Sequence, residues 1–148
     1  ILMGTITTAM CNSFKQELLG GVHDLDTHTL KIALIKPSPS GTFNKATTNY
    51  SQLTGSSDEA TGTNYTAGGN VLDSPAIALS GDTATLDFAD EVFANLTLSA
   101  AGALLYNSSA SNKAIAVFSF GATVAATAGD FTVIFPTADA SNAVIRIT

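Results

Sequence analysis

Six short runs of alternating or β-branched apolar residues predict an all-β fold, an antiparallel β-sandwich or jelly-roll-like arrangement. They span residues 30–35, 83–88, 101–106, 114–120, 131–135 and 143–147. Gly, Ser, Asn, Asp or Thr flank each run, the composition expected of strands bounded by turns. Their regular spacing leaves little room for the crossover helices that a parallel α/β sheet requires. At 148 residues the chain reads as one domain, 1–148, large enough to bury a core without metal or disulfide staples.

The one substantial helix is expected over residues 8–19. Met10, Phe14 and Leu18 recur at i, i+4 and i+8 with Cys11 beside them, which makes one apolar face. Ser13 and Gln16 have capping-box spacing and offer a later start. Gly20-Gly21 is a natural stop. Such a helix covers an edge or end of the sandwich; docking to another subunit is its sharper alternative. In the run 30–35, Leu30, Ile32 and Leu34 point one way and Lys31 and Ala33 the other, the pattern of a half-buried strand. Pro37 and Pro39 then end it, because proline cannot donate to a ladder.

Residues 37–70 change character. Thr, Ser, Asn and Gly dominate, around isolated anchors at Phe43, Tyr50, Leu53 and Tyr65. Structureless loops beyond roughly 12–15 residues are uncommon in compact domains and are usually functional or disordered. The segment therefore reads as an extended loop or arm, partly ordered, lying over the sandwich or over a neighbour. Those four anchors are its candidate interface residues.

Strand rhythm returns after Val71. Residues 76–79 and 83–88 form a hairpin around Ser80-Gly81-Asp82, with Ala84, Leu86 and Phe88 on one face. A short strand at 92–98 leads into 101–106, and 107–112 is a polar turn. The run 114–120 is apolar on both faces and should be central. Gly129-Asp130 precedes the strand 131–135, and 143–147 closes the chain.

Charge narrows the function. The formal net charge is −6, and the six basic residues, Lys15, Lys31, Lys36, Lys45, Lys113 and Arg146, are scattered. Nucleic-acid binding needs clustered Lys and Arg that release counterions from phosphates, so no nucleic-acid partner is expected. Charged residues make up 12%, about half the roughly 25% usual for soluble domains. Mean hydropathy is +0.28, yet no apolar run approaches the roughly 20 residues of a membrane helix, and no membrane partner is expected. Cys11 is the single cysteine, which leaves no intrachain disulfide and no cysteine-based zinc site. The opening Ile1-Leu2-Met3 shows no signal-peptide pattern, with Met3 and Met10 as alternative initiators.

Few constellations carry chemistry. His23-Asp24-Leu25-Asp26-Thr27-His28 is the densest polar cluster. As a calcium loop it has Thr29 where glycine is needed and Ile35 where the bidentate Glu should be. As a zinc site it lacks a helix aligning both histidines. It reads as a turn whose aspartates bond local backbone. Asp87, Asp90 and Glu91 resemble the paired carboxylates of glycoside hydrolysis. The chain has no Trp to stack on a sugar, so a solvated turn is the simpler reading. Phosphate-loop, G-x-S-x-G and G-x-G-x-x-G patterns are missing. No catalytic residue and no cofactor is expected. The N-x-Ser/Thr patterns at Asn49, Asn64, Asn95 and Asn107 arise by chance in so Asn-, Ser- and Thr-rich a chain.

Four blocks, residues 8–21, 64–70 (Asn-Tyr-Thr-Ala-Gly-Gly-Asn), 102–107 (Gly-Ala-Leu-Leu-Tyr-Asn) and 129–133 (Gly-Asp-Phe-Thr-Val), resemble small structural proteins of tailed bacteriophages. The resemblance runs across most of the chain and contains no catalytic signature. It implies a virion component made in the host cytoplasm, such as a capsid decoration or cement protein or a neck or tail accessory. The implied partners are phage capsid or tail proteins and further copies of the chain. Two other readings compete. One is a receptor- or carbohydrate-binding module on a phage fibre, contacting its target through Tyr50, Tyr65 and Tyr106. The other is a small hydrolase built on Asp87 and Glu91.

Overall fold

Strands dominate the molecule, and every pairing between them is antiparallel. A computed structural model describes residues 3–148; Ile1 and Leu2, the first positions of the expected domain, lie outside the described residues. In chain order the elements are β1 (Ala9–Met10), α1 (Asn12–Leu19), β2 (Leu30–Ile35), α2 (Ser51–Gly55), β3 (Asn70–Val71), β4 (Ala76–Ser80), β5 (Thr83–Asp87), β6 (Glu91–Asn107), β7 (Lys113–Val133) and β8 (Ile145–Ile147). They form a five-stranded sheet, β1-β7-β6-β2-β3, and a three-stranded sheet, β4-β5-β8. The all-β, sandwich-like class expected from the strand rhythm is what the chain adopts.

The helix starts later than the apolar spacing implies. Ala9 and Met10 pair with Val117 and Ala116 instead of joining the helix. Cys11 occupies the N-cap with no side-chain bond, so the Ser13–Gln16 box is not used. The Ser13 hydroxyl is buried without a hydrogen-bond partner. Phe14 and Cys11 are fully buried as expected. The helix stops at the two glycines: Gly21 takes φ +72°, and Val22 N–H bonds Glu17 O while Gly21 N–H bonds Leu18 O. That is the paired bonding of a Schellman cap.

Strand β2 is more central than alternation alone implies. It lies between β6 and β3, and Leu30 and residues 32–35 are all buried, so both of its faces meet protein. The larger correction concerns the second half of the chain. The expected strands at 92–98 and 101–106 are one 17-residue strand, β6, and 114–120 and the first three residues of 131–135 belong to one 21-residue strand, β7, which ends at Val133. Gly129 and Asp130 make no turn between strands; Gly129 sits in the ladder opposite Leu96. Weak strand formers extend here because β6 already offers the backbone partners that their N–H and C=O groups need.

Two strands of this length do not stay flat. Between the pairs Ala100–Val124 and Gly102–Ser119, β6 supplies one residue and β7 four, a bulge that includes Gly121 at φ +75°. Bulges bend and coil a ladder. Phe120 and Phe131 are eleven residues apart, about 36 Å in extended chain, yet their ring centroids lie 5.9 Å apart. The hairpin thus curls over itself. Its turn-side half supplies Leu104, Leu105, Ile115 and Val117, its far half Phe93, Leu96 and Phe131, and the small sheet adds Leu86 and Ile145, all to one core.

The hairpin at Gly81-Asp82 forms as expected, with Ser80 opposite Thr83 and Gly81 at φ +60° in the first turn position. A tighter constraint sits at Gly69. Its φ is +72°, and a Cβ there would lie 1.8 Å from Ile32 O. Gly69→Ala should therefore destabilise the fold by about 1–3 kcal/mol, read as a lower urea midpoint. Gly55, with no atom near the position of an added Cβ, is the control: Gly55→Ala should change stability by less than about 1 kcal/mol.

Candidate interaction surface

The loop 37–70 is held against its own sheets by two adjacent acids. Asp58, fully buried, accepts hydrogen bonds from Ser40 N–H and Gly41 N–H, both at 2.7 Å, and pairs with Lys36 Nζ at 3.2 Å. Burial alone would raise its carboxyl; the bonds from Ser56, Ser40, Gly41 and Lys36 outweigh that and hold it below the ordinary aspartate range. The backbone adds Lys36 N–H to Asp58 O and Ala60 N–H to Leu34 O. The chain therefore returns along β2 after its excursion.

Glu59 collects the tyrosines. Tyr65 Oη (2.8 Å) and Gly68 N–H (2.7 Å) donate to Glu59 Oε1, and Tyr50 Oη donates to Oε2 at 2.5 Å. Tyr65 Oη also accepts from Leu34 N–H at 2.9 Å. Tyr106 stacks on Tyr50 at 4.6 Å and donates to Gly68 O at 2.6 Å. All three tyrosines of the chain converge here. Burial, reinforced by the nearby Glu59 carboxylate, pushes their hydroxyls up, Tyr106 to about 12 and the other two further.

The four anchors expected to face a partner thus have internal work. Phe43 and Leu53 are buried in the core. Tyr50 and Tyr65 are half-buried on Glu59. Residues 37–70 fold onto their own chain, with the short helix α2 inside them, and present none of the four as a free contact. The tyrosines proposed for a sugar-binding face point inward too, which removes the structural support for that reading. Asp58 and Glu59 are the missed residues. Their signal was available: they are the only acids between positions 37 and 70.

The His23–His28 cluster is a turn, organised by a residue outside it. Asp24 Oδ1 accepts from the Asp26 and Thr27 amides, both at 3.1 Å. Fully buried Asn107 accepts Ser109 N–H and Ala110 N–H on its carbonyl, which fixes its amide orientation. Its Nδ2 then donates to His23 Nδ1 at 3.0 Å and His28 Nδ1 at 2.9 Å. Both ring nitrogens act as acceptors, and His23 presents Nε2 to Glu17 Oε2 at 2.8 Å. An amide therefore fills the space between the two imidazoles. The second acidic cluster makes bonds within the chain, with Asp90 exposed. Asp87 bonds Phe88 N–H, Asp90 bonds Phe135 N–H, and Glu91 accepts from Asn70 Nδ2 at 2.7 Å.

What the molecule turns outward is aliphatic. Leu19 is 92% exposed, Leu79 77%, Ile134 74% and Ile77 55%. Ile147 joins Met10, Leu18 and Leu19 along one apolar groove and Leu25, Ile77 and Leu86 along another. A third groove, about 230 Å³, runs along β7 between Phe120, Val124, Phe131 and Ile134. The outer edge of β7 is also open. β1 pairs only with Ala116 and Val117, and among the described residues no strand pairs that edge beyond Phe120. No family model, curated protein or solved structure matches the chain. Its function is therefore argued from this surface.

Two outcomes test the interior. The Asp58 carboxyl is lowered in the folded state, so its contribution is present above the ordinary value of 3.8 and is lost as pH falls through the lower folded value. Asp58→Asn should cost about 1–3 kcal/mol near neutral pH, and less as acid protonates the wild-type residue, in urea titrations at several pH values. Spectrophotometric titration should show little tyrosinate in the folded protein at pH 10, the ordinary tyrosine value. Once the chain is unfolded, about half of the tyrosine side chains should be ionised at that pH.

Proposed function

We propose that the chain is a structural subunit of a tailed-phage virion, a decoration or cement protein or a neck or tail accessory. It binds capsid or tail subunits and copies of itself, and it works by contact instead of catalysis. The observation that carries this reading is the outward set Leu19, Ile77, Leu79 and Ile134 on a chain with few charges. Ile147 links the grooves that hold Leu19 and Ile77, and contiguous exposed apolar surface marks interaction sites. Covering such side chains yields on the order of 1.5–3 kcal/mol each. The internal bonding of Asp58, Glu59, His23 and Glu91 agrees, since it holds these side chains in the framework. The four sequence blocks that resemble phage structural proteins supply the particle.

Mass spectrometry of purified particles should find this chain in a fixed ratio to the capsid or tail proteins. Its absence from intact particles would sink the proposal. Leu79→Asp and Ile77→Asp, on an exposed strand, should reduce incorporation while leaving the fold intact by circular dichroism.

A further inference from the structure

The open edge of β7 has an order of residues that its exposure alone does not require. From Gly121 to Gly129 it reads Gly-Ala-Thr-Val-Ala-Ala-Thr-Ala-Gly, nearly the same in both directions. If two copies lie antiparallel about Ala125, Gly121 faces Gly129, Ala122 faces Ala128 and Thr123 faces Thr127. Val124 faces Ala126, and Ala125 meets its own counterpart. We propose that β7 pairs with β7 of a second copy along this edge, joining the two five-stranded sheets about a two-fold axis at Ala125.

Four features support this pairing. First, unguarded edge strands template pairing, and proteins that must stay single blunt them with short strands, Lys or Pro. The other edges of the large sheet carry two-residue strands, β1 and β3. On β6, the far half is covered by the Thr63–Thr97 bridge and by Asn70 bonded to Glu91. The segment 121–129 has no Lys, Pro or charged residue.

Second, the chain carries −6, so two copies repel in most orientations, but this edge brings no charge to the contact. The nearest acid, Asp130, accepts Asn95 N–H at 3.0 Å. Third, the side chains are small, so backbones can approach, and facing Thr–Thr pairs are favourable across antiparallel strands. Fourth, positive φ at Gly121 and Ala128 bounds the extended stretch, so the contact is carried by the central pairs Thr123–Thr127, Val124–Ala126 and Ala125 with its own counterpart, and Gly121–Gly129 and Ala122–Ala128 lie at its ends. A two-fold contact uses the same patch twice, and an edge that matches its own reverse meets that condition.

This inference rests on the structural-subunit reading only in that it names one partner of that subunit. Sedimentation equilibrium of the purified chain should give twice the 15.1 kDa chain mass, and Ala125→Lys should return it to one while circular dichroism stays unchanged. Under mild oxidation Ala125→Cys should cross-link to a dimer, because the axis places it against its own copy. Thr123→Cys should cross-link only when paired with Thr127→Cys, its own copies being separated by four residues along the strand. Cys11 is buried and gives no background. A wild-type monomer, a dimer indifferent to Ala125→Lys, or equal cross-linking at 123 and 125 would overturn the pairing. The two proposals fail separately. Virions without the chain leave a β7 dimer standing, and a monomer found on virions defeats the pairing alone.

Discussion

The ladder between β6 and β7 is the constraint on which the rest of the molecule depends. Every backbone group in a strand needs a partner, and these two strands answer each other over most of their length. Strands so long twist, and twist together with the bulge opposite Ala101 bends the pair until Phe120 meets Phe131. One hairpin thereby supplies core from both of its halves. Strands β2 and β1 add to its turn-side half, and β5 and β8 bring Leu86 and Ile145 to the same apolar interior. A core built this way depends on long-range pairing, so its register matters more than the propensity of any one segment.

The loop 37–70 meets a different problem. It is too polar to be held by apolar burial alone, and Phe43 and Leu53 are its two large fully buried anchors. Neighbouring acids supply the rest. Asp58 faces amides and a lysine, while Glu59 faces two phenols and an amide. A buried carboxylate is costly unless its oxygens are bonded, and charge-assisted bonds are the stronger kind. Each acid therefore fixes one specific path for the chain, since any other leaves a desolvated oxygen without a donor. The stacked Tyr50 and Tyr106 carry that order from the loop into β6.

Much of the fold was legible in the sequence because local pattern and final burial agree there. Strand β2 keeps its expected limits, and the β4–β5 hairpin forms around its Gly-Asp turn. Legibility ended where partners are distant. Ala9 and Met10 read as helix because their apolar spacing is helical, but β7 pairs them as strand. Gly129-Asp130 reads as a turn because those residues favour turns, but Leu96 lies opposite and the ladder continues. Phe43, Tyr50, Leu53 and Tyr65 were visible as anchors, and only the direction they face was not. Direction depends on where Glu59 and the sheets lie, which no local window contains.

The same reasoning bears on the surface. An apolar residue in a strand shows no sign of whether its far side meets core or solvent, so Ile77 and Leu79 look like any core pair until β4 is placed at the outside of its sheet. Edges are equally silent, because openness is a property of the neighbour that fails to arrive. Yet the chain guards its edges unevenly. Short strands and the loop 59–70 protect β2 and β6, and Lys31 and Lys36 flank that side. Along β7, the β1 pairing ends at Val117 and Thr8 Oγ1 accepts from Ser119 N–H, and among the described residues no strand follows from Gly121 to Val133. Fold stability gains nothing from leaving thirteen strand residues open, since an edge exposed in this way invites unwanted pairing. Its persistence beside well-guarded edges is intelligible if contact is what that edge is for.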